Sequence, residues 1–217
     1  KFRTKTDGAI WWGENRKCPP NGIYFDTIPA PRDLPDMDNQ PAPKDYHPSH
    51  ELPEEFLRIL EDSAQWLYEN TDYSITCGET IQDLQIKPGG QEAWWMRMVM
   101  EPQACHEFLR KAVDASLNQL KQLEQAVGKY CDTLMIADDI GDVRGVMCGP
   151  NLWREIYKPH YKRWWTEWHK ITSMKISFHS CGSVADILID LVECGLDIVP
   201  KSMGKHSYDM ELTEDDR

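Results

Sequence analysis

The sequence predicts an α/β fold in which short parallel strands alternate with longer helices. Three observations carry that expectation. Helical and extended patterns alternate from residue 53 onward, and such alternation gives a parallel sheet with right-handed crossovers. The run Thr133-Leu134-Met135-Ile136-Ala137 is apolar almost throughout, as a strand buried on both faces reads. Three successive strand ends then turn polar together, which is where β/α folds keep their functional groups.

The elements follow in order. Residues 1–52 are irregular, punctuated by prolines such as Pro19, Pro20, Pro29, Pro31, Pro41 and Pro48. Proline removes a donor and fixes φ, so long helices are excluded there. A short strand or hairpin followed by a wrapping loop that packs on or covers the larger part is expected. Phe56, Leu57, Leu60, Ala64 and Leu67 recur at helical spacing. Tyr73–Cys77 reads as a strand ending at Gly78, and residues 91–100 as a short helix. Pro102 opens a long helix that Gly128 stops. Strand 133–137 comes next. Pro150 starts another helix, which Pro159 should kink or split. Met174–Phe178 is a strand, Val184 to Leu191 a helix stopped by Gly195, and Leu196–Val199 a further strand. Residues 53–200 thus form the alternating part of a single domain, and residues 201–217 a polar tail.

The bulk chemistry excludes several functions. The chain has 217 residues and a formal net charge of −12. Nucleic acid binding requires clustered Lys and Arg that displace counterions, and no basic stripe is present. An anionic membrane surface is disfavoured for the same reason, and no apolar run approaches the ~20 residues of a span. The first residues, Lys1-Phe2-Arg3-Thr4, lack the apolar core of a signal peptide. Seven scattered cysteines, an odd number, point to reduced thiols and a cytoplasmic setting.

The polar strand ends hold the candidate chemistry. In His179-Ser180-Cys181-Gly182 one residue separates imidazole from thiol, so on an extended strand both point the same way. That pair suits zinc, although so short and common a pattern by itself more often marks a buried cysteine beside a hydrogen-bonded histidine. Asp138 and Asp139 are adjacent, so one should face the mouth while the other braces a loop. Asp138 is the candidate for moving a proton or orienting a substrate. Asp139, Gly141 and Glu79 are candidate substrate contacts. Cys194 lies at the end of a helix, near the opposite end of the strands, and is rejected as a ligand. The tryptophans of residues 152–168 read as core packing.

The stretch from Tyr130 to Pro200 resembles the uroporphyrinogen decarboxylase superfamily, in particular its cobalamin-dependent methyltransferase branch. The residues that carry the resemblance are Tyr130-Cys131-Asp132, Ala137-Asp138-Asp139-Ile140-Gly141, Leu152-Trp153-Arg154-Glu155, Lys158-Pro159-His160-Tyr161-Lys162, His179-Ser180-Cys181-Gly182-Ser183 and Gly195-Leu196-Asp197-Ile198. It implies a (β/α)8 TIM barrel, represented here only in part, since a complete one needs ~250 residues. It implies a zinc ion held by His179 and Cys181, with the remaining ligands outside this chain. It also implies methyl transfer from a methylated corrinoid (cobalamin) protein to a thiol coenzyme or tetrahydrofolate. The partners expected are that corrinoid protein and a small-molecule acceptor, and a homodimer is compatible. Two rival readings stand: decarboxylation of an acidic substrate, which needs cations at the mouth, and a non-catalytic subunit that docks the corrinoid protein.

Overall fold

A computed structural model of the chain describes residues 2–4, 8–12, 16–20, 26–27, 47–78, 81, 84, 87–88 and 90–199. The chain divides into two compact units, Lys1–Gln40 and Pro41–Arg217. The first unit contains β1 (Phe2–Thr4), β2 (Ile10–Trp12), β3 (Arg16–Cys18) and β4 (Asp26–Thr27). They pair antiparallel in that order, so this part is a small meander sheet rather than a single hairpin. Short hairpins tolerate the many breakers that exclude a helix.

The second unit carries the β/α alternation. Its elements are α1 (Glu54–Asn70), β5 (Thr76–Gly78), α2 (Gln91–Met100), α3 (Pro102–Val127), β6 (Thr133–Ala137), α4 (Pro150–Ile156), α5 (Lys158–Ile171), β7 (Lys175–His179) and α6 (Leu188–Cys194), with a 3-10 turn at Ala185–Ile187. β5, β6 and β7 form a parallel sheet in sequence order. The strand expected at 196–199 is reduced to one parallel bridge, Ser177 to Ile198. The architecture is therefore α/β with a parallel sheet, and the described residues do not close a barrel.

Aspartates brace the starts of the strands. The Asp132 carboxylate accepts hydrogen bonds from Ser74 Oγ at 2.9 Å and from the Ile75 amide at 3.0 Å. Asp197 does the same for the Ile176 amide at 2.9 Å and Lys175 Nζ at 3.1 Å. Two of the motif residues thus set the level of neighbouring strands, at the end opposite the polar mouth.

The helices cover the sheet through aromatic packing. Leu134, Ile136, Ile176 and Phe178 are buried on the strands. α5 lays Tyr161, Trp164, Trp165 and Trp168 against them, all fully buried. Tyr161 and Trp165 meet Phe178 edge-on at 5.8 Å. This is the packing role expected of the tryptophans. Pro159 splits the helix as expected: α4 ends at Ile156 and α5 starts at Lys158. Arg154 and Lys158 then fasten both helices to α6 through Asp190, at 3.0 and 2.6 Å. Gly128 ends α3 with a right-handed φ of −58°, not the left-handed turn of a typical glycine stop. A Cβ there would lie 2.6 Å from the Glu124 carbonyl oxygen, which is a steric reason for glycine.

Candidate metal centre at the strand ends

The C-terminal ends of β6 and β7 are tied together by their own backbones. The Asp138 amide donates to the His179 carbonyl at 3.0 Å. The buried Ser180 hydroxyl accepts the Ile140 amide at 3.1 Å. The loops beyond the strands then touch backbone to backbone. Gly182 has φ +74°, and a Cβ on it would lie 2.5 Å from the Gly141 carbonyl. A Cβ on Gly141 would meet the Ser183 carbonyl oxygen at 2.6 Å. Both glycines therefore serve close approach. Gly141, expected as a substrate contact, is placed against the neighbouring loop.

That approach brings three ligand types together. His179 Nε2 and Cys181 Sγ lie 3.4 Å apart. The Asp139 carboxylate accepts the Cys181 amide at 2.8 Å. One ligand atom from each of Asp139, His179 and Cys181 lies within 4.8 Å of the others. Asp139 and His179 are half-buried and Cys181 is exposed. Hydrogen bonding to Asp139, then burial, pushes the Cys181 thiol above its ordinary pKa.

The donor set fits zinc. Two tetrahedral ligands at ordinary Zn–N and Zn–S lengths sit roughly 3.6 Å apart, close to the His179–Cys181 spacing. Three protein ligands with an open fourth position is the pattern of a catalytic site. The third ligand, expected outside this chain, has a candidate within it in Asp139.

Asp138 has a different place. It is fully buried. Lys87 Nζ lies 2.8 Å from its Oδ1, and the Tyr161 hydroxyl donates to its Oδ2 at 3.0 Å. Burial raises its pKa despite the opposing pull of Lys87 and Tyr161. Of the adjacent pair, Asp139 takes the mouth-facing position, because the strand's alternation turns Asp138 inward. Glu79 lies outside the described residues.

Lys87 and Tyr161 were not singled out as site residues from the sequence. Lys87 precedes Pro88-Gly89-Gly90, a breaker cluster between a strand and a helix. In a β/α fold that marks a loop at the mouth, so the signal was available. A narrow slot beside the cluster is lined by Lys87, Asp139, Cys148, Trp153 and Tyr157, among others.

The family model for uroporphyrinogen decarboxylase (URO-D) matches residues 87–202, more than half of the chain. The chain belongs to the uroporphyrinogen decarboxylase family. The family match begins at Lys87 and contains the aspartate pair and the His-x-Cys motif. Among solved structures, a methyltransferase from Methanosarcina mazei is similar, with a TM-score of 0.49 and 19% identity over 68% of this chain and 43% of that one. The chain thus spans less than half the length of that protein. No curated protein matches the sequence. No described helix is long and apolar enough to cross a membrane.

Proposed function

We propose that the protein is a zinc-dependent methyltransferase of the family, moving a methyl group from a methylated corrinoid protein to a thiol coenzyme or tetrahydrofolate. The observation that carries the zinc site is the convergence of Asp139, His179 and Cys181 within 4.8 Å. Methyl transfer rests on the resemblance of the His-x-Cys motif to the methyltransferase branch.

In this reading His179, Cys181 and Asp139 hold the ion, which supplies Lewis acidity when bound. The backbone contact of Gly141 and Gly182 holds the two loops at ligand spacing. Asp138 is a positioning residue. It fixes Lys87 and Tyr161 beneath the mouth and does not reach solvent. The decarboxylase alternative is weaker because, among the described residues, Lys87 and Arg144 near the mouth are each paired with a carboxylate, Asp138 at 2.8 Å and Asp142 at 3.3 Å.

Elemental analysis of the purified chain tests the site. Near-stoichiometric zinc is expected in the wild type. Cys181→Ala should lose it, and Asp139→Ala should weaken retention by at least ~10-fold, as loss of a ligand exceeds the effect of outer partners. A wild type without zinc, after growth in zinc-replete medium, would sink the proposal. With zinc established, demethylation of methylcobalamin is followed spectroscopically with a thiol and with tetrahydrofolate as acceptors.

A further inference from the structure

We infer that the slot beside the strand ends is a ligand subsite that takes an acceptor oxygen, carboxylate or carbonyl, of a small polar molecule. The Trp153 indole N–H and the Tyr157 phenolic hydrogen are its donors.

Two buried donors carry the inference. Trp153 lines the slot and is fully buried. Its Nε1 has no hydrogen-bond partner among the described residues. Folded proteins satisfy nearly all such groups, and a buried donor left without an acceptor is destabilising. Trp164 and Trp165 also carry indole N–H groups without partners. Those two rings stack on one another at 6.4 Å within the core and do not line the slot. Trp153 differs in having a space beside it.

The second donor is Tyr157, which is 2% exposed. Its hydroxyl oxygen accepts the Trp94 indole N–H at 2.6 Å. A phenol that accepts one bond still has its own hydrogen to give. Burial and the nearby Asp138 charge hold its pKa well above the ordinary value, so that hydrogen stays in place.

Size and charge define the ligand. The free space is about 10 Å³, close to one water-sized sphere. One oxygen atom fits, and the remainder of the ligand extends out of the slot. Asp139 is shared between the slot and the cluster with His179 and Cys181. The slot therefore adjoins the candidate metal centre through Asp139. Lys87 brings a positive charge to the lining, but Asp138 balances it at 2.8 Å. With Asp139 also in the lining, the slot does not require an anion, and a neutral carbonyl oxygen satisfies the same two donors without like-charge repulsion.

This inference rests on reading the strand ends as a substrate mouth, but not on zinc or on turnover. Its test uses neither. Indole resonances of the 15N-labelled full chain are followed by NMR during titration with acetate and, separately, with acetamide. Sodium chloride at matched ionic strength is the control. Trp153→Phe identifies the Trp153 resonance by its disappearance. The expected result is a saturable downfield shift of the Trp153 indole proton with at least one probe. Trp164 and Trp165 should stay still. Tyr157→Phe, which keeps the ring and removes the donor, should weaken binding by ~5-fold, the effect of one net hydrogen bond. A response to acetate alone assigns an anionic ligand, and a response to acetamide assigns a neutral acceptor. If Trp153→Phe does not fold, through-bond assignment of the wild type identifies the resonance and Tyr157→Phe supplies the variant. The inference is overturned if neither probe moves Trp153 beyond the chloride control.

Discussion

Asp138 and Asp139 are adjacent in the chain and belong to regions with opposite physics. Asp138 sits beneath the mouth in a buried ion pair walled by Tyr161 and the aromatic core. Asp139 sits at the rim beside His179 and Cys181, where solvent and ligands can enter. In the first region both carboxylate oxygens of Asp138 have partners inside the protein. The second brings three metal-binding side chains together, with no cation among them in the described residues. Stability and ligand chemistry are thus separated by a single peptide unit, because successive side chains on a strand point to opposite faces.

The largest effect is expected from Asp138→Ala. It removes the carboxylate opposite Lys87 inside the protein, and breaking one side of a buried pair costs about 3–5 kcal/mol. Urea denaturation of the variant should show that loss, while zinc retention in the molecules that remain folded should persist. Cys181→Ala should do the reverse. Its side chain is exposed, so with both proteins metal-free stability should move by less than about 0.5 kcal/mol, while zinc binding is lost. Equal destabilisation by the two variants would remove the distinction.

A smaller effect is expected from Tyr161→Phe. The change keeps the ring packed between Trp165 and Phe178 and deletes the hydroxyl that donates to Asp138. A hydrogen bond to a charged, buried acceptor contributes roughly 1.5–3 kcal/mol, and the denaturation midpoint should fall accordingly.

The smallest effect is a pH dependence away from the mouth. His160 Nε2 lies 3.0 Å from His106 Nδ1 between α5 and α3. Burial, with His106 and Arg163, pushes the His160 pKa down from 6.5 to about 4. Between those values the unfolded chain binds more protons than the folded one. Stability should therefore fall as pH drops from 6.5 toward 4. Partial solvent screening limits the effect to on the order of 1–2 kcal/mol. His160→Gln should flatten this part of the pH profile of the urea midpoint.

Much of the fold was legible because its signals are local. The apolar run at 133–137, the proline at 159 and the glycine at 195 each act within one turn or strand of themselves, and the structure places β6, the α4–α5 break and the end of α6 there. The start of β5 was less legible. Tyr73 is 82% exposed, and the strand begins at Thr76 because pairing with Thr133, not β-propensity, sets the register. The His-x-Cys motif was legible as a pair, but the choice of Asp139 over Asp138 was not. Periodicity assigns the two aspartates to opposite faces without saying which face is the mouth. Nor could spacing identify Lys87, which is 51 residues from its carboxylate partner.

By itself, the sequence determined the alternation of helices and strands, the parallel sheet and the gathering of polar groups at the strand ends. These follow from hydrophobic period, breaker residues and chain direction, which are properties of neighbouring residues. Tertiary structure alone decided which aspartate is buried, which lysine balances it, and which indole N–H beside an open space has no partner among the described residues. Burial and hydrogen-bond satisfaction depend on groups brought together from distant parts of the chain, and no local pattern encodes them.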